Sequence, residues 1–287
     1  MKRVACFFSG GYTESSGAFL TFLQKIAPEI RYSQCMPNRT VKRNGMNKLI
    51  KDEYSGITGS TLLNKIKENL RKEVVINDFK TGYYDAILIE DDIDNRFKGW
   101  SNEKVNQYID GIRQEIEEII GKNVPIVFLY AAPEIESWFI VDWEKGFGGL
   151  LLNSGFVSDI EKKSIGTFNN VFHRYVIHEI LRDQKPEEFV NLCDEYQKLS
   201  DKISDAFRTD VIIRMKEEHI AEEYCKQICN SKTLYYSKRI HGSYMLARIR
   251  PEYIKGKCGN MYDKGYSELK KLESMLLNQE SLQGTHY

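Results

Sequence analysis

The chain has 287 residues, 41% hydrophobic and 29% charged, a balance that suits an ordinary globular protein of one large or two modest domains and excludes collagen-like, fibrous and disordered classes. Its 41 basic and 41 acidic residues cancel, so total charge makes no case for a nucleic-acid or membrane surface, and six irregularly spaced cysteines read as reduced thiols. No apolar run approaches the roughly 18 residues that cross a bilayer, and MKRVACFFSGG lacks a signal-peptide core, so a cytoplasmic protein without a membrane partner is expected.

Residues 4–8 form the first predicted strand, ended by Ser9-Gly10-Gly11, after which Phe19, Leu20, Leu23 and Ile26 share one helical face before Pro28. Ser60 is a natural N-cap for a second helix carrying Leu62, Leu63, Ile66 and Leu70. Residues 86–89 are an apolar run that enters an acidic cluster, as a buried strand emptying into a loop would. Val105, Tyr108, Ile109, Ile112, Ile116 and Ile119 mark a third helix, and 126–130 a further strand closed by Pro133. Strands alternating with helices predict an α/β fold with a parallel sheet and right-handed crossovers, whose ligands bind at the carboxyl ends of the strands. After the glycine-rich stretch 146–149 the pattern turns helical, around 170–181, 187–204, 210–229 and 263–277, with a basic loop between the last helices. Two portions are expected, 1–148 and 149–287, with 279–287 frayed.

Three carboxylate groups each follow a predicted strand: Glu14 after the first, Glu90-Asp91-Asp92-Ile93-Asp94 after the second, and Glu134 and Glu136 after the third. A parallel sheet gathers all three at one edge. Carboxylates packed together raise one another's pKa, so a site that keeps several ionised holds a hard cation, here one or two Mg²⁺ or Mn²⁺ ions. Asp92 and Asp94 point the same way if the backbone is still extended. Each group alone also reads as structural: Glu14 as a first-turn helix residue, 90–94 as a solvated loop, Glu134 and Glu136 as surface residues around Trp138.

The acidic stretch 85–144 is flanked by basic ones at 39–72 and 232–257, which either rim such a centre with phosphate-binding charge or form separate solvated faces. In the second, Lys238, Arg239, Arg248 and Arg250 surround Tyr235, Tyr236 and Tyr244, a mixture suited to phosphate contact and base stacking, or equally to a solvated edge. Cys225 and Cys229 have half the spacing of a zinc site without a matching second pair, and read as two buried helical cysteines. His173 and His178, five apart, read as ordinary core or surface histidines. No phosphate-cradling Gly-x-x-x-x-Gly-Lys loop is present in the sequence.

VACFFSGGYTESSGAFLTFL resembles the Gly-x-Thr-Glu opening of Toprim-related proteins of bacterial defence and mobile elements, such as the RloB-like group and the nucleases called overcoming-lysogenization-defect. ILIEDDIDNRFKG resembles their Asp-x-Asp segment, APEIESWFIVD their Glu-x-Glu-x-Trp stretch, SGITGSTLLNKIKENL their Gly-x-x-Gly helix start, and HGSYMLARIRPEYIKGKC their C-terminal end. The resemblance implies a Toprim-like parallel sheet flanked by helices over 1–148, metal-dependent phosphotransfer, commonly nuclease activity, and an ATPase of the ABC type as partner. It assigns Glu14, Asp92 and Asp94 to catalysis, with Asp91 as a register alternative and Glu134 and Glu136 as further ligands. The usual opening carries a Glu where this chain has Gly10, so either Glu14 takes over that role or the chain is a degenerate interaction subunit. The leading expectation is thus a Mg²⁺-dependent nuclease of DNA or RNA in anti-phage defence, with self-association open.

Overall fold

The computed structural model describes residues 2–9, 11, 13–14, 17–37 and 57–283; Gly10 and most of the first basic stretch lie outside them. β1 (Arg3–Phe7) is apolar on both faces, as a central strand must be: Val4 and Cys6 enter one buried layer, Ala5 and Phe7 the other. α1 (Ala18–Ile26) returns the chain with Phe19, Phe22, Leu23 and Ile26 buried, and β2 (Arg31–Met36) pairs parallel to β1. α2 (Gly59–Leu70) and α3 (Glu73–Lys80) lead to β3 (Ala86–Asp92), and α4 (Asn102–Ile120) to β4 (Ile126–Ala131). Ser101 caps α4 by accepting from the Lys104 amide, and Gly121 ends it in the left-handed region.

The strand order is β2-β1-β3-β4, all parallel, so the expected α/β architecture is present. α2, α3 and α4 cover one face through Leu62, Ile66, Phe79, Ile109 and Ile116. α1 and the C-terminal helices cover the other. These are α5 (Glu136–Val141), α6 (Phe147–Asn153), α7 (Lys162–Tyr175), α8 (Leu199–Asp205), α9 (Val211–Glu217), α10 (Glu222–Asn230), α11 (Lys238–Leu246), α12 (Pro251–Ile254) and α13 (Asn260–Gln283). The expected portion boundary at 148 falls inside α6, and one apolar layer runs through it from Val4 and Leu88 to Phe172, Phe207 and Leu276. α13 lies against β4 so closely that a Cβ on Gly265 would stand 2.6 Å from the Phe128 carbonyl oxygen, which shields that sheet edge.

Two elements escape the periodicity reading. β2, RYSQCM, has only Met36 fully buried and so carries neither an apolar run nor clean alternation, while α3 buries Phe79 alone. The expected basic loop is largely α11 and α12, helical because Met245, Leu246 and Ile254 reach the core between the charged residues.

Candidate metal centre

β3 ends in Glu90, Asp91 and Asp92, and its alternation sorts them. Leu88 belongs to the layer under α1, so Glu90 and Asp92 open on that side; Ile87 and Ile89 belong to the other layer, and Asp91 follows them. There Asp91 meets Arg96 Nη2 at 2.7 Å and accepts from the Gly59 amide, which makes it a structural ion pair outside the cluster. Asp94 also diverges. β3 stops at Asp92 and Asp94 has φ 52°, so extension is lost, and its carboxylate accepts from the Tyr196 hydroxyl at 2.5 Å.

Glu14, in the loop after β1, is fully buried beside Glu90 and Asp92; one carboxylate oxygen from each of the three lies within 4.8 Å of the others. Gly11 makes room for this carboxylate: a Cβ there would sit 2.0 Å from Glu14 Oε2. Glu90 accepts from the amide and hydroxyl of Ser9 at 3.1 and 3.2 Å, tying β3 to the end of β1. Asp92 Oδ1 accepts from the Ile135 amide, which links β3 to the start of α5. At that start Glu136 is fully buried and accepts from Tyr236 Oη at 2.6 Å, while Glu134 turns to the Ser200 amide and hydroxyl at 3.0 and 3.1 Å.

The cluster holds one side chain that the sequence placed on a nucleic-acid surface. Lys238, first residue of α11, directs Nζ inward to Asp92 Oδ2 at 2.8 Å, Glu14 Oε1 at 3.5 Å and Glu136 Oε2 at 3.6 Å. α11 is docked for this: Thr13 Oγ1 donates to the Lys238 carbonyl, and Gly242 lies where a Cβ would stand 2.1 Å from Thr13 Oγ1. The expected convergence of Glu14, Asp92 and Glu136 is therefore present, with Glu90 added and Asp91 and Asp94 directed elsewhere. Glu90 had a readable signal, since it is two residues from Asp92 on one strand face. Lys238 had none, because its partners are remote in sequence.

Burial raises the Glu14, Glu90 and Glu136 carboxyls. Lys238 opposes this at Glu14 and Glu136, whereas Glu14 and Asp92 raise Glu90 further. Glu134 is pushed up to about 7 by burial and then by Glu136. Burial alone would lower the Lys238 ammonium, but Asp92, Glu136, Glu14 and Glu134 together raise it well above its usual value. Among the described residues, one ammonium faces Glu14, Asp92 and Glu136 together. Among those same residues, neither the Glu14 oxygens nor Glu136 Oε2 has a hydrogen-bond donor nearer than the Lys238 ammonium, which stands 3.5 Å from Glu14 Oε1 and 3.6 Å from Glu136 Oε2. Clustered buried carboxylate oxygens are the ligand type of a hard divalent cation, so this acidic triad can hold a metal ion.

The other basic residues divide. Arg250 is structural, gripping the fully buried Asp142 through Nη2 at 2.5 Å and Nε at 3.0 Å, and reaching Glu144. Arg248 is exposed, with its guanidinium 3.5 Å from the Tyr244 ring centroid, and Arg239 is exposed on α11. Cys225 is buried as expected, but Cys229 is exposed. His173 stacks on Trp143, and His178 pairs with Asp183. Comparison of the chain with protein-family models, with curated proteins and with solved structures finds no match.

Proposed function

We propose that the Glu14–Glu90–Asp92 centre binds one or two Mg²⁺ or Mn²⁺ ions and that the protein is a Toprim-type nuclease hydrolysing DNA or RNA phosphodiesters, an effector of anti-phage defence in the cytoplasm beside an ABC-type ATPase. The observation that carries this reading is the meeting of three buried carboxylates at the carboxyl ends of the adjacent parallel strands β1 and β3, where α/β sheets place ligands. A bound divalent cation supplies charge stabilisation at a phosphoryl oxygen and acidifies water. Glu14, Glu90 and Asp92 are its ligands, and Glu14, with a raised pKa, is also the group placed to hold a proton. Lys238, whose ammonium lies on Asp92, Glu14 and Glu136, would offset negative charge that builds on a phosphate bound at the centre. Glu136, fixed by Tyr236, orients that ammonium.

A second reading has its own support: the Lys238 ammonium already bonds Asp92, and Gly10 replaces the usual acid, as in a degenerate subunit that docks on an ATPase. Calorimetric titration with Mn²⁺ and cleavage of plasmid, linear duplex and single-stranded substrates separate the two. The nuclease reading expects Mn²⁺ binding at micromolar to millimolar affinity and cleavage lost in chelator and in Asp92→Asn. Absent metal binding, or equal cleavage by Asp92→Asn, overturns it.

A further inference from the structure

Two exposed apolar side chains, Leu152 and Tyr253, line one pocket of about 680 Å³ that contains none of Glu14, Glu90 and Asp92. Its volume lies in the range that encloses a small organic ligand, about 300–1,000 Å³. Part of the lining is built around Trp143. Gly148 comes so close that a Cβ would stand 2.8 Å from the indole, and the half-buried His173 imidazole stacks on it with centroids 4.3 Å apart. Trp143 Nε1 donates to Asn169 Oδ1 at 3.0 Å; an indole N–H only donates, so the amide orientation is fixed and Nδ2 is left as a donor. Among the described residues, neither that Nδ2 nor a His173 ring nitrogen has a hydrogen-bond partner. Burial, and then His178, lower the His173 pKa, so the ring is neutral near pH 7 and offers one donor and one acceptor. The rest of the lining carries unbalanced positive charge. Lys185 and Lys257 are exposed on either side of a junction where the Glu187 amide donates to the Cys258 carbonyl at 3.3 Å. Neither has a carboxylate partner among the described residues, and Lys257 Nζ rests 3.1 Å from the Tyr253 ring centroid. The acids of the pocket are engaged, Glu144 by Lys145 and Arg250, Asp183 by His178. Past α7 the chain widens into a π turn at Val176–Ile180 and passes through Arg182 and Asp183 at φ 48° and 61°, a left-handed pair without glycine of the kind that collects at ligand sites.

We infer that this pocket binds a nucleotide, with the base beside Asn169 and His173 and the phosphates on Lys185 and Lys257. A nucleobase is a flat ring whose edge carries donors and acceptors, which the free Asn169 amide and the neutral His173 complement, while Ile140, Leu152 and Ile177 offer apolar contact to its faces. An acyl chain would use those apolar walls but would cover the amide and the imidazole without giving them partners, which costs free energy. A simple anion would use the lysines and leave the walls empty. Ammoniums without carboxylate partners are what a phosphate chain recognises, and charge-assisted hydrogen bonds to it are the strong ones. The site is independent of the nuclease reading, because none of its residues belongs to the acidic centre.

The test is isothermal titration of the full chain with ATP, GTP, CTP and UTP, with the four nucleosides and with inorganic triphosphate, in chelator so that no metal bridges a phosphate to the acidic centre. At least one nucleotide is expected to bind, and its nucleoside and triphosphate alone each to bind about tenfold or more weakly. The double variant Lys185→Gln, Lys257→Gln should weaken that nucleotide about tenfold and leave the nucleoside unchanged. Leu152→Glu, which sets a carboxylate in the apolar wall, should weaken nucleotide and nucleoside alike, and Asp92→Asn should bind as wild type. All but Asp92→Asn replace exposed side chains, and circular dichroism checks that every variant is folded. Binding by none of the four nucleotides overturns the inference, as does triphosphate binding as tightly as the nucleotide, which would reduce the site to an anion patch. Binding indifferent to both the lysine and the Leu152 variants, or lost in Asp92→Asn, places the nucleotide elsewhere and overturns it too. Cleavage in Mn²⁺, measured separately, decides the nuclease reading and leaves this one unaffected.

Discussion

The Lys238 ammonium lies 2.8 Å from Asp92 Oδ2 across 146 residues of sequence, joining the start of α11 to the end of β3. The same ammonium stands within 3.6 Å of Glu14 and Glu136, so it holds together acids that would otherwise repel. Replacing it tests what it contributes. Lys238→Met should lose about 3 kcal/mol in chelator, lowering Tm by roughly 5–10 °C, because the buried carboxylates are left without a counter-charge. Mn²⁺ should raise Tm more in this variant than in wild type, since the competing cation is gone. Differential scanning calorimetry with and without Mn²⁺ reads both effects, and an unchanged Mn²⁺ response would place the metal away from Lys238.

Gly242→Ala probes how α11 is seated. Alanine in a helix interior usually gains about 1 kcal/mol over glycine. Here the added Cβ would meet Thr13 Oγ1 at 2.1 Å, so the sign reverses and Thr13, with Glu14 behind it, must shift. The expected outcome is a lower Tm and Mn²⁺ affinity reduced several-fold at unchanged helical content, measured by calorimetry and circular dichroism.

Stability in chelator should fall as pH rises from 5 to 8. Burial pushes Asp91, Glu134 and Glu187 up to about 7, against the partial pull of Arg96 on Asp91 and of the Met261 and Tyr262 amides on Glu187. With folded pKa values above the unfolded ones, the native chain binds more protons between roughly pH 4.5 and 7, and stability declines through that window. Lys238, also raised, contributes stability that is present below the unfolded lysine value near 10.4 and is lost only above it, so it leaves this window flat. Thermal melts across the range check the slope, and a rise in Tm toward pH 8 would contradict it.

Two arginines two residues apart should behave oppositely. Arg250→Ala leaves Asp142 buried without its guanidinium partner and should cost about 2 kcal/mol, the pair being partly exposed, with no effect on the salt dependence of strand binding. Arg248→Ala should leave Tm nearly unchanged and lower the slope of log affinity against log salt by about one. Equal slopes for Arg248→Ala and wild type would mean that Arg248 touches no phosphate.

The readable parts of this fold are those whose neighbours do not matter to the pattern. AILI in β3 and IVFLY in β4 are buried on both faces and so stand out as apolar runs, and α4 shows its stripe at Val105, Ile109, Ile112 and Ile116. β2 is hidden because a half-buried edge strand needs no such run. At the centre, strand ends were enough to find Glu14, Asp92 and Glu136. Asp94 was misplaced by a single left-handed residue, its own φ of 52°, which no composition rule signals. Lys238 reads as a surface cation because lysine usually is one; only the tertiary meeting of α11 with β3 reverses that.

Glu14, Glu90 and Asp92 belong to the first third of the chain, and Lys238 arrives much later. Ribosomes deliver residues in that order, so a growing chain displays its acids well before the Lys238 ammonium that contacts them has been made. Until residue 238 emerges, Glu14 and Asp92 have no Lys238 to draw them in, and repulsion favours keeping the loop after β1 apart from β3. An interrupted or proteolysed fragment that stops short of α11 therefore lacks the Lys238 contacts to Asp92, Glu14 and Glu136. Length itself thus decides when Glu14 and Asp92 acquire Lys238 as their counter-charge.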